Sequence, residues 1–264
     1  MHFVSFSSGS CGNCYLLIGS HSGLLIDAGV SIRRVKKELE NLHLDYSCLS
    51  AVLVTHDHGD HIRSLGSFCK RLMLPVWTTS AIHEALLRHP FTRDWTAPCR
   101  HNLAPRVWNP VTEDFDVQFF EVPHDATQCV GFAIRCEDEL FVLMTDLGHT
   151  TGEAIRWASQ AATVVVESNY DLDMLLGGNY PEQLKRRITR GIGHLSNADC
   201  AEAITRFMHP ELRNLFLCHL SGNNNTPELA YESAKRALES LGVEAGTVNL
   251  RVLKRGVASP LLAL

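Results

Sequence analysis

Four side chains able to hold a metal ion fall within six residues: His56, His58, Asp60 and His61, in the segment Thr55-His56-Asp57-His58-Gly59-Asp60-His61. The segment follows a continuous apolar run, Ala51-Val52-Leu53-Val54, which reads as a buried strand. An irregular loop after a rigid strand can turn alternate side chains toward one point. His56 and His58 can then reach one ion while Asp60 and His61 address a second beside it. Imidazole and carboxylate together suit zinc, manganese or iron.

One loop does not complete two coordination spheres, so further donors are expected where other strands open into loops. His124 follows Phe119-Phe120-Glu121-Val122-Pro123, Asp146 follows Phe141 to Thr145, and His219 follows Leu215-Phe216-Leu217-Cys218. Gly193-His194-Leu195-Ser196-Asn197 opens a helix and adds His194 as another candidate for the cleft. Glu167 ends the strand Val164-Val165-Val166, where an acid can be brought against such a histidine. Asp57 lies inside the loop without being a ligand; it either orients the attacking water or hydrogen-bonds a ligand histidine.

The elements that must position these residues can be read from periodicity. Phe3 to Phe6, Tyr15 to Ile18 and Leu24 to Ile26 are short strand-forming runs separated by glycine- and serine-rich turns. Ser31 reads as a helix cap, with Ile32, Val35, Leu39 and Leu42 at helical spacing. A helix is expected from Ile62. Val117 to Val122, Val130 to Arg135 and Leu140 to Met144 read as strands, with Glu137-Asp138 a hairpin turn. A helix near Thr151 to Ser159 leads into the strand Thr163 to Val166. Asn197 to Phe207 and Pro227 to Leu241 read as helices, Leu215 to Leu217 as a strand, and Val248 to Val252 as the last strand. Two sheets with helices outside them account for this order. With no repeat, linker or low-complexity tract, one domain over residues 1–264 is expected.

Composition narrows the class. The chain has 45% hydrophobic and 20% charged residues, as ordinary globular proteins do. No apolar run approaches the roughly 20 residues of a membrane helix, and no secretory leader is visible, so a cytoplasmic location is expected. Nine cysteines, an odd number, favour reduced, buried thiols over a disulfide framework, and Cys11-x-x-Cys14 has no second pair to make a zinc site. The net charge of −5 does not advertise a polyanion partner. Locally, Lys185, Arg186, Arg187 and Arg190 form one basic run and Arg33, Arg34, Lys36 and Lys37 another; each reads either as a phosphate contact or as a solvated helix face. Tyr170 and Tyr180 are either base-stacking or packed aromatics. Ser7 to Asn13 is either a phosphate cradle or a plain turn, and Ser221 to Asn225 supplies small groups suited to phosphate oxygens.

Thr55 to His61 resembles the HxHxDH signature of the metallo-β-lactamase superfamily, with the later His, Asp and His in the expected order. The resemblance implies an α+β fold, a four-layer αβ/βα sandwich, with two divalent ions between the sheet edges. It implies that His56, His58 and His124 hold one ion, Asp60, His61 and His219 the other, and that Asp146 bridges them. Two ions about 3.5 to 4 Å apart can hold a hydroxide as nucleophile and stabilise the charge developing on an attacked ester. Asp60, Asp57, His194 and Glu167 are then the residues expected nearest the chemistry. His194 with Glu167 resembles the leaving-group apparatus of RNase Z, although Leu195-Ser196 stands where that family has serine-threonine. The PhnP phosphodiesterase of phosphonate metabolism belongs to the same branch. Ser5 to Cys14, Glu167-Ser168-Asn169-Tyr170-Asp171, Gly193 to Asn197 and His219 to Glu228 are similar to the YycJ (WalJ) family, which resembles RNase J without its β-CASP domain. That resemblance implies a 5′ to 3′ DNA exonuclease linked to DNA repair, with DNA or another nucleic acid as partner. A cyclic nucleotide or small cyclic phosphodiester is the second expectation, and a glyoxalase- or lactonase-like ester or thioester the third.

Overall fold

The computed structural model describes residues 1–264. The first half of the chain lays down one sheet in sequence order: β1 (His2–Ser7), β2 (Cys14–Ile18), β3 (Gly23–Ile26), β4 (Leu49–Leu53), β5 (Val76–Thr78) and β6 (Arg100–Asn102). The second half builds the other: β7 (Asn109–Pro110), β8 (Asp116–Glu121), β9 (Val130–Cys136), β10 (Glu139–Met144), β11 (Thr163–Glu167), β12 (Asn214–Cys218) and β13 (Asn249–Val252). The chain then returns, and β14 (Leu262–Ala263) pairs antiparallel with β1. Both sheets are mixed. β1 to β3 are antiparallel and β3 to β6 parallel. Likewise β7 to β10 are antiparallel and β10 to β13 parallel.

The central parallel strands β3, β4, β10, β11 and β12 are largely buried on both faces, as strands covered on both sides must be. Phe141, Leu143, Val165 and Phe216 face the first sheet, where Phe216 stacks on Phe3 at 5.5 Å between ring centroids. The alternate residues Val142, Met144, Val164, Val166, Leu215 and Leu217 point the other way. Against them pack α5 (Gly152–Ala158), α8 (Asn197–Phe207) and α9 (Pro227–Ser240). Around the first sheet lie α1 (Ile32–Asn41), α2 (Gly59–Ile62), α3 (Leu65–Leu72) and α4 (Ser80–Leu86). The α1 cap is as expected, Ser31 Oγ accepting from the Arg34 amide, with Ile32, Val35 and Leu39 buried. Two short helices, α6 (Leu172–Gly177) and α7 (Glu182–Thr189), stand beside the site described below.

The two sheets with helices outside them match the expected four-layer sandwich. Three details differ from the sequence reading. The helix expected from Ile62 begins at Gly59 and breaks at Ser64 before α3 resumes the direction. Val248 to Val252 is not the last strand, because Leu262–Ala263 closes the edge of the first sheet. Cys11 is exposed and Cys48 half-buried, against the expectation of buried thiols, while the other seven cysteines are buried and all nine are free. No helix is long and apolar enough to cross a membrane.

Candidate metal centre

Strand direction gathers the polar residues. Because β10, β11 and β12 are parallel and in register through Met144, Val166 and Leu217, the residues that follow them emerge at one edge of the sheet. These are Asp146, Glu167 and His219. The parallel pair β3 and β4, with Ile26 beside Leu53, does the same for Asp27 and for Thr55 to His61. Asp27, Asp146 and His219 all take left-handed backbone conformations, with φ of 59°, 51° and 54°. Such conformations cost a non-glycine residue free energy and gather where geometry is imposed by function. Gly29 lets the loops close. A Cβ there would lie 1.7 Å from the Asp60 carbonyl oxygen, so only glycine permits that approach.

The expected ligands come together as two groups. His56, His58 and His124 offer nitrogens within 4.8 Å of one another, and so do the donor atoms of Asp60, His61, Asp146 and His219. Asp146 faces both groups. Its Oδ2 lies 4.0 Å from His56 Nε2 and 3.7 Å from His124 Nε2, and its Oδ1 lies 3.3 Å from His61 Nε2 and 3.4 Å from His219 Nδ1. Asp60 Oδ2 sits 3.6 Å from His61 Nε2 and 3.5 Å from His219 Nε2.

Each imidazole is anchored by its other nitrogen. His61 Nδ1 meets Asp27 Oδ2 at 2.7 Å, His124 Nδ1 the Gly193 carbonyl at 2.7 Å, and His58 Nε2 the Asp125 carbonyl at 3.2 Å. His56 Nδ1 lies 3.0 Å from Thr55 Oγ1, and His219 Nδ1 2.9 Å from Glu167 Oε1. Acceptors at the outer nitrogens fix the tautomer and turn the remaining lone pair inward, as metal-binding histidines require. Two inward nitrogens, His56 Nε2 and His219 Nε2, are buried without a hydrogen-bond partner and face only the carboxylates of Asp146 and Asp60. A buried nitrogen without a partner is costly, and a cation relieves it.

Charge points the same way. Burial holds His56 and His124 below the ordinary imidazole value, so both remain neutral donors. Burial alone would lower His61 and His219, but Asp146, with Asp27 and Asp60 around His61 and with Asp60 and Glu167 around His219, outweighs it. His61 is carried well above the ordinary value and His219 up to about 10. Against burial, His219 and His61 hold the Asp146 carboxyl well below its ordinary range. A pocket that binds protons this firmly binds a metal cation in their place. The donor set therefore fits divalent ions.

His194 and Glu167 meet as the sequence implied. His194 Nδ1 lies 2.8 Å from Glu167 Oε1, the same oxygen that faces His219, while Glu167 Oε2 accepts from the amides of Leu147 and Leu195. Burial would lower His194, but the Glu167 carboxylate raises it, favouring an imidazolium. Asp57 does not hydrogen-bond a ligand histidine. Its two oxygens accept from the Thr127 amide at 3.2 Å and the Thr127 hydroxyl at 2.5 Å.

The remaining candidates divide. Lys185 is buried, with Nζ on the Leu176 carbonyl, and Arg187 is paired with Asp125, so only Arg186 and Arg190 of that run are free surface cations. In the other run Arg34 donates to the Phe6 carbonyl and Lys36 pairs with Glu40. Tyr170 is a packed aromatic, whereas Tyr180 lines the cleft beside His194 and His219. Asn224 and Asn225 are buried, and the Asn225 amide holds the Ser168 carbonyl, so they are framework rather than phosphate contacts. Sequence reasoning missed Asp27, and it missed Asn13, whose Nδ2 lies 2.9 Å from His61 Nε2 and 3.3 Å from Asp60 Oδ2. The signal for Asp27 was an acid directly after the apolar strand Leu24-Leu25-Ile26.

Known proteins place this arrangement. A family described as "Beta-lactamase superfamily domain" matches residues 23–219. The chain is 33% identical to the exodeoxyribonuclease YycJ of Bacillus anthracis, over 93% of this chain and 92% of that protein. It is 30% identical to the exodeoxyribonuclease WalJ of Streptococcus pneumoniae, over 91% and 89%. Among solved structures, Zn²⁺-bound PqqB from Methylobacterium extorquens superposes with a TM-score of 0.74 at 17% identity, covering 98% of this chain and all of that one. The short form of human tRNase Z does so with a TM-score of 0.63 at 12% identity, over the whole of both chains. At these identities the two structures speak for the fold alone.

Proposed function

The chain belongs to the metallo-β-lactamase superfamily, within the family of the YycJ and WalJ proteins, and from that premise we propose that it is a two-metal phosphodiesterase that digests DNA from the 5′ end. That it is a metal-dependent hydrolase follows from the family itself; the substrate, the polarity and the residue roles are the proposal. Likeness along nearly the full length of exodeoxyribonucleases carries it. The reading treats residues 1–264 as one working domain, supported by the return of β14 to β1.

In this reading His56, His58 and His124 would hold one divalent ion, zinc, manganese or iron, and Asp60, His61 and His219 a second, with Asp146, which faces both groups, shared between them. Bound ions supply a water acidic enough to attack and positive charge for the phosphorane-like oxygens. His194, kept protonated by Glu167, gives its proton to the departing 3′ oxygen. Asp60 and Glu167 hold His219 between them. Asp57, through Thr127, keeps the loop that carries His124 against the histidine segment. A link to DNA repair accompanies the exonuclease reading.

The test is digestion of end-labelled DNA by purified protein with manganese, zinc or iron. Metal-dependent digestion is expected, with the 5′ label released first as mononucleotide and His58→Ala inactive. No digestion with any of the three metals overturns the reading. A second reading draws on the cleft beside His194 and His219, whose volume of about 170 Å³ suits a single small phosphodiester. Faster hydrolysis of cyclic nucleotides than of DNA would decide for it.

A further inference from the structure

We infer that Arg255 binds a phosphate of the nucleic-acid strand next to the one that is cleaved. The inference rests on the nucleic-acid reading above. Arg255 lies beyond β13, in the segment that returns to the first sheet, far in sequence from every residue of the metal centre. Its side chain nonetheless stretches across two loops whose adjoining residues line the cavity beside that centre. At one end its Cγ lies 2.9 Å from where a Cβ of Gly9 would stand. At the other its Nη1 lies 1.9 Å from where a Cβ of Gly222 would stand, three residues past His219. In this position the guanidinium packs where Gly222 has no Cβ, and the Arg255 stem packs where Gly9 has none.

The loops it spans belong to the cleft. Ser10 and Ser221, the neighbours of Gly9 and Gly222, line the cavity that His194, His219 and Tyr180 also line. The charge is unspent. Some arginines of this chain pair with acids, as Arg100 with Glu84, Arg135 with Asp116, Arg187 with Asp125 and Arg213 with Glu139, and Arg34 is satisfied by the Phe6 carbonyl. Arg255 makes no ion pair, and its one hydrogen bond is a long one, Nη2 to Ser10 Oγ at 3.4 Å. Arg255 is half-buried and faces no carboxylate, which leaves its guanidinium available to an outside anion. A guanidinium fork beside the Ser10 hydroxyl matches the oxygens of a phosphodiester.

Arg255→Gln and Arg255→Lys are compared with wild type on oligonucleotides bearing a 5′ phosphate or a 5′ hydroxyl, and on bis-(p-nitrophenyl) phosphate, which has no neighbouring phosphate. Arg255→Gln is expected to raise KM for DNA about tenfold or more, to lower the log–log salt slope by about one, and to affect the small ester far less. Arg255→Lys restores part of the loss. Gly222→Ala, whose Cβ displaces the guanidinium without changing charge, reproduces the Arg255→Gln effect. A penalty confined to the 5′-phosphorylated strand places the contact at the terminal phosphate; an equal penalty on both places it inside the strand. An unchanged DNA KM and salt slope overturns the inference, and so does equal damage to DNA and small-ester hydrolysis. Wild-type protein that hydrolyses the small ester but no DNA overturns the nucleic-acid reading, and this one with it.

Discussion

Asp27 shows how far the grip on an ion depends on groups that never touch it. It is fully buried, and its two oxygens take His61 Nδ1 and the Thr55 amide and hydroxyl, so one carboxylate sets the tautomer of His61 and the path of the loop that follows. Asp27→Asn keeps the shape but can present an N–H to His61. Its affinity for metal should fall about 10- to 100-fold in chelator competition; an unchanged affinity would refute that role. His194 behaves differently, because it is bonded to Glu167 and faces the cleft. His194→Ala should lower turnover about 10²- to 10⁴-fold with metal content intact, as metal analysis beside steady-state rates will read, whereas loss of metal would make His194 structural. The seven proposed ligands were legible because donors that close in sequence, each after an apolar strand, are hard to explain otherwise. Asp27, Asn13 and Arg255 were not. A lone acid, an amide in a turn and an arginine in a tail acquire meaning only when three separate loops meet.

At the level of elements, the site is a consequence of which strands run the same way. Five strands, β3, β4, β10, β11 and β12, end at facing edges; the loops after β3 and β4 are locked to each other and to the β1–β2 turn by Asn13 N to Asp60 O, Ala28 N to His61 O and Gly29 N to Asn13 O. Gly29→Ala sets a methyl group against the Asp60 carbonyl, which is backbone and cannot swing aside. Overpacking of this kind costs about 1–3 kcal/mol, so urea denaturation should show that loss together with reduced metal content. Full stability with full metal content would show that the loops tolerate separation. Periodicity found the long strands and the helices α1, α5, α8 and α9, since their alternation and spacing carry burial directly. It missed β5, β6, β7 and β14, which span only three, three, two and two residues and owe their pairing to neighbouring strands, and it missed the seven-residue α4. It also missed α6 and α7, whose apolar residues pack with Tyr170 and Tyr180 in a small cluster away from the main core.

Across the whole molecule, the donors divide between the two halves of the chain. His56, His58, Asp60 and His61 hang from the first sheet, and His124, Asp146 and His219 from the second. The sheets share one core through contacts such as Phe3 with Phe141 and Phe216, and β14 crosses back to the first sheet. A cation held by both halves therefore resists their separation as well as serving the reaction. An ion at 100 times its dissociation constant, bound only by the folded chain, adds about 2.7 kcal/mol. For a chain of this size each kcal/mol moves Tm by about 2–4 °C. Removal of two such ions by a chelator should thus lower Tm by about 11–22 °C, and returning manganese or zinc should restore it. His58→Ala, which strips one donor from the first half, should shrink that shift, and Asp146→Ala, which strips the residue facing both groups, should shrink it further. A Tm indifferent to chelator in protein shown to contain metal would mean that the ions do not hold the halves together, and that the shared aromatic core does so alone.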